Sequence, residues 1–262
     1  MEIHLVSFAS RCFYTSQQTL EKSAADSGIK NIRSWKYREL IFTSFFWKNL
    51  RVLRSKRGAG YWAWQPFIIN KSLQSVKEGD VVIFCDAGLK FTAPISKLND
   101  ILLQNDVLVF SAGNHINSTY TKRDAFILMG CDEERYWNGP QVLGGFHIWK
   151  KNERSLKVLA DYYKYCTDHQ VVSDSKNRLG DDLPDFVDHR HPQSILSLLA
   201  LKHGLKIFTC PLMSTNEFNE QQLKFDPAMI TGIDLEQPLL LAHRTRRYTF
   251  IDKLLLKTGL WI

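Results

Sequence analysis

GAGYWAWQPFIINKSLQSVKEGDVVIFCDAGLK, residues 58–90, is the stretch whose reading decides the fold. It opens on a glycine-rich aromatic turn, Gly58 to Trp64. Gln65-Pro66 then starts a helical pattern with Ile68, Ile69, Leu73 and Val76 on one apolar stripe. Proline suits a first helical turn, where its missing N–H is not needed. Gly79-Asp80 ends that helix. Val81-Val82-Ile83-Phe84-Cys85 follows as a short, continuous apolar run, the pattern of a strand buried on both faces. It ends in Asp86-Ala87-Gly88. Open α/β sheets bind ligands at the carboxyl ends of their strands, so Asp86 is the carboxylate around which the chain is arranged.

Outward from this stretch, strand and helix patterns alternate. Ile3 to Phe8 predicts a first strand, with Ala9-Ser10 as the loop after it. Small residues there suit close approach by a ligand, or an ordinary strand-to-helix turn. A helix is expected over Gln17–Ser27, with Leu20, Ala24 and Ala25 inward and Gly28 ending it. Ile29–Ser34 reads as a short strand and Tyr37–Leu53 as an aromatic helix packed in the core. Beyond Asp86 the expectations are a helix over Pro94–Gln104, a strand over Val107–Phe110, a polar loop over Ser111–Thr121 and a helical piece over Lys122–Met129. Gln141–Trp149 reads as a strand interrupted by Gly144-Gly145, which marks either a bulge or a close approach lining a pocket with Phe146. Asn152 caps a helix carrying Leu156, Leu159, Tyr162, Tyr163 and Cys166. Val171–Phe186 reads as an acidic, mobile loop. Pro192 opens a buried helix that Gly204 stops. Ile207-Phe208 and Leu239–Arg244 read as the last strands, and Phe250–Leu260 as an amphipathic terminal segment. The alternation predicts an α/β fold with a mostly parallel central sheet flanked by helices, and one domain over residues 1–262 is the economical reading.

Composition narrows the function classes. The 262 residues carry a net charge of +7, which favours anionic partners. The charge is partly clustered at Arg51, Arg54, Lys56 and Arg57, and at Arg244, Arg246 and Arg247; either cluster could equally be a solvated surface. Five cysteines without a Cys-x-x-Cys pair argue for reduced thiols rather than a disulfide framework or a zinc finger. The chain has no apolar run of the ~20 residues a membrane span needs and no signal-peptide pattern at its start, so a cytoplasmic location is expected. No Rossmann fingerprint, P-loop or nucleophile elbow is present.

Three blocks together carry a resemblance. They are Gly58-x-Gly60-Tyr61-Trp62-x-Trp64-x-Pro66, the apolar strand ending Asp86-Ala87-Gly88, and Asp188-His189-Arg190-His191-x-Gln193-Ser194. The chain resembles bacterial and viral polysaccharide glycosyltransferases of the GT-A superfamily, which use nucleotide-diphospho-sugars. The resemblance implies a single GT-A domain, a nucleotide-sugar donor, and a glycan or lipid-linked glycan acceptor in capsule or lipopolysaccharide synthesis. It implies a divalent metal, Mn²⁺ or Mg²⁺, at Asp86 and His243. It implies donor binding by Ser7, Phe8, Ala9, Arg57, Gly60, Tyr61, Trp64, Asp86, Ala87, Gly88, Gly145, Gln193 and Arg244. Catalysis would fall to Asp188, His189 and His191. Two departures stand out. The usual Asp-x-Asp is reduced to Asp86-Ala87-Gly88, leaving one carboxylate, and Pro192 stands where an acidic residue is usual.

Plainer readings sit beside these roles. Tyr61, Trp62 and Trp64 stack on a base or sugar, or pack the core. His243 beside Arg244 holds metal or pyrophosphate, or is a surface histidine. His189 caps a helix or is satisfied in the core, whereas Asp188 leans to acid–base work. The basic clusters and the terminal segment would allow peripheral contact with an anionic inner membrane face. The alternative function is a nucleotide- or nucleic-acid-binding protein without transferase activity. The buried strand ending in Asp86 is a poor feature for that reading, because a carboxylate repels phosphate unless a metal intervenes. A weaker third reading is a metal-dependent phosphoesterase using His189, His191 and nearby aspartates.

Overall fold

The computed structural model describes residues 1–213 and 220–247. The terminal amphipathic segment expected over Phe250–Leu260 lies outside them. β1 (Ile3–Ala9) leads through α1 (Tyr14–Asp26) to β2 (Asn31–Lys36). Gly28 ends α1 with φ +102°, a left-handed backbone that glycine adopts without penalty. Leu20 and Ala24 of α1 are buried, and Ala25 faces solvent.

The aromatic stretch after β2 is not one helix. It breaks into three turns, Tyr37–Ile41, Ser44–Lys48 and Leu50–Leu53, with Thr43 accepting the N–H of Phe46 as a cap. The breaks rotate Trp47 and Leu50 outward, to 62% and 38% exposure, while Phe45, Phe46 and Leu53 stay in the core.

α2 (Gln65–Ser75) carries Pro66 in its first turn and leads to β3 (Val81–Cys85), which is buried throughout. β4 (Leu89–Phe91) follows directly. A helical turn at Ile95–Leu98 and a short helix at Asn99–Gln104 occupy the predicted helix after it. β5 (Val107–Ile116) runs six residues past its apolar part, so Ser111–Ile116, expected as loop, is strand. It reads as polar because its second half leaves the core and is only half-buried. Short helical turns at Asn117–Tyr120, Arg123–Leu128, Glu134–Trp137 and His169–Val172 accompany β6 (Pro140–Lys150), α3 (Glu153–Thr167), α4 (Pro192–Lys202), β7 (Ile207–Phe208), β8 (Ile230–Thr231) and β9 (Leu240–Ala242).

Seven strands form one sheet in the order β2-β1-β3-β6-β5-β7-β8. β6 pairs antiparallel with both β3 and β5, and every other pairing in the sheet is parallel. The sheet is therefore mostly parallel, with its one reversed strand near the centre. Alternate side chains feed two cores. Val82 and Phe84 join Val6, Phe8, Val109 and Trp149 on one face. Val81, Ile83 and Cys85 join Leu5, Leu20, Leu108 and Phe146 on the other. Burial on both faces explains why β3 is apolar without interruption. The predicted last strand, β9, does not enter this sheet; it pairs antiparallel with β4 in a separate two-stranded ribbon.

Candidate functional site

A cavity of about 510 Å³ opens where β1 and β3 end. Phe8, Ala9 and Ser10 line it from β1, and Asp86, Ala87 and Gly88 from β3. These strands are parallel neighbours, with Leu5 opposite Ile83, so their carboxyl ends open on the same side. That is the ligand position expected of an open α/β sheet.

Asp86 is fixed from behind by β6. Its N–H donates to the carbonyl of Gly145 at 2.8 Å, and its own carbonyl accepts from Leu89 N–H at 3.0 Å, which turns the chain into β4. The glycine pair explains itself here. A Cβ on Gly145 would stand 2.9 Å from Asp86 Oδ2, and one on Gly144 would stand 2.8 Å from Gln193 Cβ. Opposite β5 the register jumps from Val109–His147 to Ser111–Val142, so Leu143–Phe146 form a bulge. Gln65 Nε2 donates to Gly144 O, and Tyr162 Oη donates to Gln65 Oε1, which holds the bulge in place. Gly145 and Gln193 thus back the site without lining it. Burial pushes the Asp86 carboxyl up to about 6, against the opposing pull of Arg244.

The facing wall is the Gly58–Trp62 turn. All five residues have positive φ: Gly58 59°, Ala59 50°, Gly60 99°, Tyr61 53° and Trp62 55°. Both glycines are sterically required as well. A Cβ on Gly58 would meet the Trp62 ring at 2.2 Å, and one on Gly60 would meet Leu53 Cα at 2.6 Å. Trp64 anchors the turn: its Nε1 donates to Gly58 O at 3.1 Å, and its ring stacks on Phe8 at 4.0 Å between centroids. Trp64 and Trp62 line the cavity, as do Lys56, Arg57 and Ala59. Tyr61 and Gly60 do not; Tyr61 turns back onto His191, 4.9 Å away. Ser7 lies beneath the floor, accepting from Gln17 Nε2 at 3.0 Å.

Arg244 and Arg246 close the third side. The residues that flank them are pinned: His243 N–H donates to Gly88 O, Thr245 N–H to Ser16 Oγ, and Arg247 N–H to Cys12 O. Arg244 lies over Gly88, with Nε 3.1 Å from where a Cβ would stand. His243 does not line the cavity, and its Nε2 is buried without a hydrogen-bond partner among the described residues.

The predicted catalytic group sits one side chain away. Arg57 reaches from the cavity to Asp188 Oδ2 at 3.4 Å and to Asp174 Oδ2 at 3.1 Å. Asp188 is about two-fifths exposed, at 40%, and also faces Arg190. His189 and His191 are sealed, at 3% and 1% exposure. His189 Nδ1 accepts from Lys122 N–H, and His191 Nδ1 pairs with Val172 O at 2.8 Å. Burial lowers both imidazoles below their usual range, His189 strongly, so they stay neutral. The loop before them is tied down by its own acids and their neighbours. Asp124 accepts N–H bonds from Arg178 and Leu179, Asp182 accepts from Arg123 N–H, and Asp185 accepts from Ser118 and Thr119.

Lys56, Phe13 and Arg246 line the cavity without having been assigned to it from the sequence. Alternation was the available signal for Arg246: in an extended segment, residues two apart share a side. Among the described residues, the one cluster of three metal-ligating types is Glu2, His4 and Asp80. It lies at the opposite, amino ends of β1 and β3. Asp80 there is already engaged by the N–H groups of Glu2 and Lys77.

No protein-family model matches the sequence, and no curated protein matches it. Similar solved structures include the apo form of mouse xyloside xylosyltransferase 1, with TM-score 0.45 and 10% identity over 80% of this chain and 85% of that one. They also include the apo structure of WbbM, a bifunctional glycosyltransferase, with TM-score 0.53 and 13% identity over 94% of this chain. The present chain covers 46% of the WbbM chain, about half its length. The likeness to WbbM is one of fold: an α/β domain with a mostly parallel central sheet flanked by helices.

Proposed function

We propose that residues 1–262 act as one GT-A-type glycosyltransferase domain, moving a sugar from a nucleoside-diphosphate donor to a surface-polysaccharide acceptor of the capsule or lipopolysaccharide kind. The observation that carries this reading is the composition of the cavity at the ends of β1 and β3. One carboxylate, Asp86, shares it with aromatic faces at Phe8, Phe13, Trp62 and Trp64 and with cations at Lys56, Arg57, Arg244 and Arg246. A sugar nucleotide has matching parts: a flat base, a polyanionic linker and a ring of hydroxyls. Aromatic faces take the base or sugar, cations take the diphosphate, and a carboxylate accepts from hydroxyls.

In this reading Asp188 is the acid–base residue toward the acceptor, with Arg57 coupling it to the donor. His189 and His191 position rather than react, since neutral, sealed imidazoles reach no acceptor. The divalent metal that the resemblance implies takes no part, because the cavity offers one carboxylate beside Lys56, Arg244 and Arg246. The reading extends to a cytoplasmic protein in peripheral contact with an anionic membrane, supported by exposed Arg51 and Arg54 on the turn before the cavity. No helix among the described residues is long and apolar enough to cross a membrane. Salt-sensitive flotation on anionic vesicles checks the contact.

A donor screen by nucleotide release tests the activity, with Asp86→Ala alongside. Wild type is expected to release a nucleoside diphosphate, and Asp86→Ala to lose at least about a hundredfold in rate. Equal release by both removes Asp86 from the site. Nucleotide binding without any release favours the alternative, a nucleotide-binding protein without transferase activity.

A further inference from the structure

Resting on the donor reading above, a narrower question is what holds the diphosphate. We infer that Arg244 and Arg246, joined by Lys56 and Arg57, clasp the donor's diphosphate and do the electrostatic work that a divalent cation does in an Asp-x-Asp site.

Three observations carry this. The first is the third position of the reduced motif. A Cβ on Gly88 would stand 3.1 Å from Arg244 Nε and 3.4 Å from Arg244 Cβ. The arginine stem fills the space from which a second carboxylate would project. The site has exchanged an anion that recruits a cation for the cation itself. The second is construction. The backbones of residues 243, 245 and 247 are pinned to Gly88, Ser16 and Cys12, and the two arginines between them both line the cavity. Both guanidinium groups also lie near the Phe13 ring, at 6.0 and 5.5 Å. The backbone around them is held in place, and both side chains stand exposed at the cavity. The third is the donor set. A divalent ion takes six or more oxygen ligands in the case of Ca²⁺ and an octahedral shell in the case of Mg²⁺. The cavity supplies Asp86 alone, beside Lys56, Arg244 and Arg246, which repel a dication, and Arg57, which already faces Asp174 and Asp188.

The chemistry needs no more. The bond from the sugar's anomeric carbon to the β-phosphate oxygen breaks, and its electron pair leaves on that oxygen. The acceptor hydroxyl oxygen forms the new bond to that carbon, and its proton passes to a base. Negative charge grows on the departing diphosphate, where guanidinium N–H groups bind both oxygens of a phosphate in a fixed fork.

The test is binding of UDP, GDP and CDP to the full chain by titration calorimetry, in excess EDTA and in saturating Mn²⁺. The nucleotide that binds is expected to do so equally in both. Arg244→Ala with Arg246→Ala is expected to weaken it at least about tenfold in EDTA, with melting temperature unchanged. A second variant reverses the exchange: Gly88→Asp with Arg244→Ala restores two carboxylates and is expected to make binding depend on Mn²⁺. Wild-type binding that appears only with Mn²⁺ overturns this inference and leaves the transferase reading standing. Metal-free binding that survives loss of both arginines also overturns it. If none of the three diphosphates binds under either condition, the donor reading falls and takes this one with it.

Discussion

On one wall of the cavity, Ala9 ends one strand and Asp86 follows another, with neighbours fixed by the sheet; on the other, Arg57 precedes five residues of left-handed backbone. The first wall is relaxed. Asp86 needs only the Gly145 carbonyl and the end of β3 to be placed. The second is strained, since Ala59, Tyr61 and Trp62 each carry a Cβ in a region that costs about 1–2 kcal/mol per residue. That cost is offset by burial of Trp64, its stack on Phe8, and the contacts of Tyr61 and Trp62 with His191. The difference teaches where each kind of group can be put. A regular sheet end delivers one carboxylate with little backbone cost. Presenting Arg57 and a tryptophan face across from it took a turn that only tertiary packing sustains.

The largest way to break this contrast is at Gly60. Gly60→Ala puts a methyl 2.6 Å from Leu53 Cα at φ +99°, where neither backbone nor neighbour can give. We expect a loss of about 3 kcal/mol or more, read from the urea midpoint.

Asp86→Asn should move stability the other way. The native carboxyl keeps its proton up to about 6, whereas the unfolded one releases it near 3.8. Between those values the native state binds more protons, so stability falls as pH rises and the full cost is present above about pH 6. The neutral amide escapes it. Asp86→Asn is therefore expected to gain roughly 2–3 kcal/mol over wild type at pH 8, shrinking toward zero near pH 4, while nucleotide release is lost. Melting curves across that range check the sign. A variant destabilised at pH 8 would mean that the relaxed wall is not where the carboxylate's cost lies.

Gly145→Ala sharpens the same comparison on the relaxed wall. Its Cβ would meet Asp86 Oδ2 at 2.9 Å, the far end of a side chain that can swing. We expect under about 1 kcal/mol in stability but about tenfold or more in kcat/KM, because the carboxylate is displaced.

How legible each wall was in the sequence follows from the same physics. Val81–Cys85 could be read because burial on both faces writes an unbroken apolar run, and Asp86 ends it visibly. Pro192 and Gly204 likewise announced the limits of α4. The turn could not be read beyond its glycines, because Ala59, Tyr61 and Trp62 have no local preference for positive φ. Contacts with Leu53, Phe8 and His191, distant in sequence or in pattern, decide it. The Ser111–Ile116 half of β5 was hidden by polarity, since a strand leaving the core loses its period. The pairing of β9 with β4 instead of the main sheet was hidden too: an apolar triplet does not name its partner. That pairing is what sends Arg244 and Arg246 across the cavity.

The smallest effect is the most diagnostic of strain. In an ordinary helix an alanine-to-glycine change costs about 1 kcal/mol, because glycine has more freedom to lose on folding. Ala24 in α1 is buried, so Ala24→Gly should cost that and some packing besides, about 1–2 kcal/mol. Ala59 sits at φ 50°, ψ 49°, where glycine is at ease and alanine is not. Relief of about 1–2 kcal/mol then opposes the entropic cost and the loss of one methyl contact. Ala59→Gly is expected within about 1 kcal/mol of wild type, on the stabilising side of Ala24→Gly. Parallel urea melts of the two variants decide it. Equal losses at both sites would show that the turn is as relaxed as the sheet, and the difference between the walls would disappear.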